Sequence, residues 1–288
     1  MPSTQSAPLE RKFFVNGMSI AAQEWGMGNK HRVIALHGWL DNSASFESIA
    51  PLITDSHIIA LDFAGNGESD HRSQHGAYNI WDDLLDILAI ADLLAWDNFK
   101  ILSHSRGAFV GMLLAATMPD RVEKLLMLDG ALLPPSEEAN TPKNLSRYLQ
   151  QQRSNYQRPS RVMSSIEEVV ERRIAKIDLT ASECLCLAER SVKPAKHGGY
   201  VWRHDPRAVG GSAFKFSKEH QQAFLSALKI PCLIILANNG LFKSAGADAL
   251  LKEYAHIKME FHDGGHHMHM EHKHSSSLAA IASEFFGG

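Results

Sequence analysis

Two textures of apolar residue alternate along this chain. Uninterrupted apolar runs at 32–36, 57–62, 100–102, 124–129 and 231–237 each end in polar or glycine-rich residues, the pattern of strands buried on both faces that open into loops. Segments with helical spacing lie between them. Trp81, Leu84, Leu88, Ala91 and Ala95 predict an amphipathic helix within 79–96, with Asp82, Asp83 and Asp86 on its other faces. The helix predicted over 106–118 is small and apolar nearly all round, which suits burial, and Pro119 stops it. Further helices are expected over 244–254 and at the C-terminus, where Leu278, Ile281, Ala282 and Phe285 share a face. Near the start, 12–15 and 18–24 flank Asn16-Gly17, a strong two-residue hairpin signal, so the sheet begins with an antiparallel edge.

Strands alternating with helices after that hairpin give an α/β, doubly wound, mostly parallel sheet. From Leu133 the texture changes to Pro134-Pro135 and a polar, charge-mixed stretch with helical sections; no buried-type strand returns until Pro231. So long an insertion between two core strands cannot be a structureless loop, and a helical cap over the sheet is expected. The chain then divides into a first part of the core (1–133), a cap inserted after the sixth strand (134–230) and a second part of the core (231–288).

The composition is that of a globular protein: 288 residues, 44% apolar and 21% charged. A net charge of -3 carries no polyanion-binding signature, so nucleic acid is not an expected partner. The first residues lack the apolar centre of a secretory signal, and no uncharged run approaches the ~18 residues of a membrane span; a cytoplasmic location without membrane attachment is expected. Cys184, Cys186 and Cys232 cannot all pair, and the first two are too close in sequence for an easy bridge, so reduced packing residues are expected.

The chemistry centres on Lys100-Ile-Leu-Ser103-His104-Ser105-Arg106-Gly107, a strand meeting a helix through a serine flanked by small residues. In a nucleophile elbow the serine occupies a strained turn with its hydroxyl above the sheet, and the residues two before and two after it must be small. Ser103 and Gly107 meet that need, with serine at the first position where glycine is usual. A serine hydroxyl is a weak nucleophile at neutral pH, so it needs a base and a third group to fix the base's tautomer.

With the His37-Gly38-Trp39 loop, the stretch from Asp62 through Gly65 and Gly67 to Ser69, the Ser105 elbow and Gly264-Gly265-His266, the chain resembles the α/β-hydrolase fold family over nearly its whole length. His37 to Asn42, Gly240-Leu241-Phe242 and His269-Met270 bring it closest to the serine hydrolase-like proteins. The resemblance implies Ser105 as nucleophile, His266 as base, and backbone N–H groups of Trp39 and Arg106 as the oxyanion hole. The place where many members carry the acid holds Gly240, whereas others carry it at the end of the strand after the elbow helix, where Asp129 stands; Asp263 is a second candidate. Asp62, Gly65 and Gly67 are read as turn residues, and the segment from Gly198 to Pro206 resembles one that lies near the acyl pocket of capped hydrolases.

The run from His262 to His274 invites a zinc reading, but its spacing matches no zinc signature, so neither a metal nor a cofactor is expected. The function that follows is hydrolysis of a small ester or related acyl substrate through an acyl-enzyme. The alternative is a non-catalytic hydrolase fold used for ligand sensing or partner binding, for which the missing acid at Gly240 is the main support.

Overall fold

The computed structural model describes residues 7–130, 135–157, 161–244, 254 and 256–288. The hairpin leads, with β1 (Leu9–Val15) and β2 (Met18–Trp25) antiparallel about Asn16 and Gly17, whose φ values of 50° and 75° are those a tight primed turn requires. The parallel strands follow: β3 (His31–Leu36), β4 (Ser56–Leu61), β5 (Phe99–His104), β6 (Val122–Leu128), β9 (Cys232–Asn239) and β10 (Ile257–Gly265). They make one eight-stranded sheet in the order β1-β2-β4-β3-β5-β6-β9-β10. The chain leaves β3 for β4 on one side and then crosses to β5 on the other. Open α/β sheets bind ligands outside the carboxyl ends of their strands at such a switch point, and here the ends of β3 and β5 carry His37-Gly38-Trp39 and Ser105.

Burial on both faces explains the unbroken apolar runs. Ile34 and Leu36 join the larger core with α1 (Ile80–Leu93), α2 (Arg106–Thr117) and α6 (Lys218–Ala227), while Val33 and Ala35 join the other with the last helix, α8 (His272–Gly287). In α1 the buried face differs from the expected one. Asp83 and Asp86 are buried with Ile87, Ile90 and Ala91, whereas Trp81 is exposed. The acids are tolerated there because Asp83 accepts from Arg106 at 2.5 Å and Asp86 from Arg72 at 2.6 Å, which supplies the partners that buried charges require.

The segment between β6 and β9 carries α3 (Thr141–Gln157), α4 (Ile166–Ile174), α5 (Ala181–Arg190), a ribbon of β7 (Val192–Pro194) and β8 (Tyr200–Trp202), and α6. Its small core of Met163, Val169, Val170, Cys184, Ala188 and Val192 is separate from those of the sheet, whereas Leu225 and Leu228, at the end of α6, belong to the larger sheet core. The insertion is bound to the loops that leave β3 and β4. Arg190 Nε donates to both oxygens of fully buried Asp62 at 3.1 and 3.0 Å, and Arg173 donates to Asp41 Oδ1 at 3.0 Å. Asp62 also accepts from the N–H groups of Ser43 and Glu68, each at 2.7 Å, and a side chain at Gly67 would collide with its carboxylate.

A short α7 (Leu241–Ser244) follows β9; the rest of the helix expected over 244–254 lies almost wholly outside the described residues. The three cysteines are unpaired, and burial pushes the Cys186 and Cys232 thiols up to about 12. Among the described residues no helix is long and apolar enough to cross a membrane.

Candidate active site

Ser105 sits between β5 and α2 with φ 52° and ψ −115°, a conformation costly for any residue with a side chain and held by close neighbours on both flanks. A Cβ at Gly107 would collide with the Leu36 carbonyl, and one at Gly130 would lie 2.6 Å from Ser105 N, so the end of β3 and the backbone after β6 clamp the turn. Ser103, standing where glycine is usual, is accommodated because its hydroxyl donates to the Leu126 carbonyl at 2.9 Å and is wholly buried.

Asp129 follows β6 at φ 34° and is completely buried. Its Oδ1 accepts from the N–H of Ala237 at 3.0 Å, and its Oδ2 accepts from the N–H of Leu241 at 3.2 Å and from His266 Nδ1 at 2.6 Å. The end of β9 and the start of α7 therefore grip the carboxylate. Gly240 has a specific part in this, since a Cβ there would collide with both carboxylate oxygens. The missing side chain at 240 is the space that Asp129 occupies.

His266 follows β10, whose register shifts between His262 and Gly265. Gly264 bends the chain at φ 124°, and the Gly265 N–H donates to Glu271 Oε1 at 2.7 Å, which fixes the loop. The ring presents Nδ1 to Asp129 and Nε2 to Ser105 Oγ at 3.0 Å, stacked on Phe242 with its centroid 6.1 Å away. Burial holds its pKa below the ordinary histidine value against the opposing pull of Asp129, with His104 adding to the depression. Asp263, the second candidate for the acid, is exposed and accepts from Asn238 Nδ2 at 2.7 Å instead.

The N–H of Arg106 opens α2, where helix geometry supplies no partner, and that of Trp39 lies in the turn after Gly38; neither is bonded within the chain among the described residues. The Arg106 side chain is drawn aside to Asp83, with its guanidinium 4.9 Å over the Phe63 ring. Trp39 is 55% exposed, and its Nε1 donates to the Ala208 carbonyl of the insertion at 3.4 Å. In the segment from Gly198 to Pro206, the Asp205 N–H donates to the Gly65 carbonyl at 2.8 Å and burial lowers His204 to about 4.

Behind His266 lies a group that the sequence reading does not bring together: Asp41, His104, His267 and His269, all buried. The spacing of the histidine run does not reveal it, because Asp41, in the loop after β3, and His104, the last residue of β5, come from far away in the chain. The one local sign is the alternation His267-Met268-His269-Met270, four residues all buried in the structure.

Comparison with known proteins agrees with this architecture. A family model described as alpha/beta hydrolase fold matches residues 31–273. A serine hydrolase-like protein of Danio rerio is 30% identical over 279 residues, spanning 92% of this chain and 84% of that protein. Serine hydrolase-like protein 2 of Homo sapiens is 33% identical over 246 residues, spanning 82% of this chain and 77% of that one. The crystal structure of a hypothetical protein from Pseudomonas aeruginosa superimposes with a TM-score of 0.92 at 33% identity, covering 97% of this chain and 99% of its own.

Proposed function

This chain belongs to the α/β-hydrolase fold family and is a hydrolase, and from that premise we propose that it cleaves an ester or related acyl substrate by way of an acyl-enzyme on Ser105. The observation that carries the reading is the continuous relay of Asp129 Oδ2 to His266 Nδ1 at 2.6 Å and His266 Nε2 to Ser105 Oγ at 3.0 Å. With its pKa held down by burial, His266 is neutral near pH 7 and takes the Ser105 proton as Oγ attacks the substrate carbonyl. Asp129 keeps the proton of the neutral ring on Nδ1 and stabilises the imidazolium as it forms. The oxyanion is received by the Trp39 and Arg106 N–H groups, and each such donor is worth about 2.7–4 kcal/mol of transition-state stabilisation. His266 then returns the proton to the leaving alcohol, and a water activated by the same ring releases the acid and restores Ser105.

A non-catalytic role loses its main support once Asp129 is seen in the place that Gly240 leaves open. The proposal extends to a cytoplasmic location, where the three thiols would stay reduced. A fluorophosphonate probe tests the chemistry directly. Wild-type protein is expected to be labelled and to turn over short p-nitrophenyl esters, and Ser105→Ala to lose both while keeping its circular dichroism spectrum. Absence of labelling on folded wild type, or undiminished labelling of the variant, would falsify the assignment.

A further inference from the structure

We propose that Asp41, His104 and His267 form a binding site for one divalent transition-metal ion of the zinc class, set behind the ring of His266. The inference does not depend on the acyl chemistry. Its basis is a convergence of buried ligand atoms, one of which, His104 Nδ1, has no hydrogen-bond partner among the described residues. His104 is fully buried, and its Nε2 lies 2.9 Å from the His266 carbonyl oxygen, which can only accept; the proton of the neutral ring is therefore on Nε2. Nδ1 is left as a bare acceptor with no hydrogen-bond partner among the described residues. It faces Asp41 Oδ2 at 3.7 Å, another acceptor, and the same oxygen accepts a hydrogen bond from His267 Nε2 at 3.2 Å, whose proton the ion would replace.

Three buried ligand atoms, from the loop after β3, the last residue of β5 and the loop after β10, thus lie within 4.8 Å of one another. A tetrahedral ion with bonds of about 2.0–2.1 Å sets its ligand atoms about 3.3 Å apart, close to the two separations measured here. Gly38 keeps the approach clear, since a Cβ there would stand 2.7 Å from Asp41 Oδ2 and 2.8 Å from His104 Nδ1.

The donor set selects the ion. Two imidazoles and one carboxylate suit zinc, cobalt or nickel, whereas magnesium and calcium prefer oxygen throughout. Next to the group is His269, fully buried, with neither ring nitrogen bonded among the described residues and its centroid 4.3 Å from that of His104. It is a further imidazole whose nitrogens have no partner among the described residues and could serve the ion. The other carboxylate oxygen of Asp41 accepts from Arg173 at 3.0 Å, which orients the ligand while withdrawing some of its charge, so the site binds more weakly than a four-cysteine one. The ion is tied to the loop of the base through the His104 contact with the His266 carbonyl and through His267, the next residue. Its effect is to order that loop, so binding raises the melting temperature.

The test uses the full chain, stripped of metal with a chelator. Cobalt(II) titrated into wild type is expected to give visible d–d absorption that saturates at one equivalent and is displaced by zinc. Asp41→Asn and His267→Gln are each expected to weaken cobalt binding by at least about tenfold and to abolish the rise in melting temperature. His104→Gln, with the same expectation, serves should either of those fail to fold. The double substitution His262→Gln and His274→Gln, in the outer part of the histidine run, keeps binding unchanged, and so does Ser105→Ala. The proposal is overturned if wild type takes up no cobalt, if Asp41→Asn and His267→Gln bind as wild type does, or if binding is lost with His262 and His274 instead.

Discussion

Asp129 and Gly240 are two halves of one solution. The carboxylate reaches His266 from the end of β6 only because residue 240 has no side chain, since a Cβ there would collide with both oxygens. Gly240→Ala should therefore push Asp129 off Nδ1 and reduce kcat by orders of magnitude without touching Ser105 or His266, measured on a p-nitrophenyl ester beside thermal melting to show that the fold survives. Asp129→Asn keeps the shape but holds the ring in the wrong tautomer, and a loss of about 10⁴ in kcat is expected by analogy with serine proteases. If Gly240→Ala retains wild-type kcat, Asp129 is not the group that orients His266. A lone glycine in the sequence can be read as the loss of an acid. Only the fold brings residues 129 and 240 into contact and turns the absence into a requirement.

At the scale of elements, the strands were readable because their cores are apolar on both faces, and the elbow because a strained serine demands small neighbours at fixed offsets. The face of α1 was misread for an equally physical reason: Asp83 and Asp86 look like solvent-facing residues until Arg106 and Arg72, from other parts of the chain, come to meet them. The group of Asp41, His104 and His267 escapes sequence reading in the same way, being assembled from two loops and the end of β5. Attachment of the insertion belongs to this class as well. Arg190, at the end of α5, joins Asp62 at the end of β4 and also donates to Glu10 of β1 at 2.9 Å. Arg190→Met removes the cation and leaves Asp62 charged, buried and short of partners, a loss of about 3–5 kcal/mol in urea unfolding. Adding Asp62→Asn to that variant should recover part of the loss. If the single substitution costs no more than an exposed ion pair, the insertion is held by other contacts.

Over the whole molecule, the carboxyl edge of the sheet gathers several buried imidazoles, those of His37, His104, His267 and His269, and that makes stability depend on acid. Burial lowers His37 to about 4 and also depresses His104 and His269, so these rings are neutral in the folded protein near pH 7. His37 shows why a proton is unwelcome: Nδ1–H donates to the Gly38 carbonyl at 2.7 Å while Nε2 accepts from the Phe63 N–H at 3.0 Å, a bond that protonation destroys. In the unfolded chain the same ring titrates near its ordinary value of 6.5, so between there and about 4 the unfolded state binds more protons than the native one. The stabilisation due to the neutral ring is complete above pH 6.5 and falls steadily as pH drops towards 4, by about 3 kcal/mol for His37 alone at 1.36 kcal/mol per pH unit. Urea unfolding at about pH 7 and about pH 4.5 measures this slope. His37→Gln, which keeps an acceptor for Phe63 but cannot titrate, should be less stable than wild type at the higher pH and lose less on acidification. Equal slopes for the two proteins would mean that His37 is not a seat of the acid sensitivity, and that the rings around His266 carry it instead.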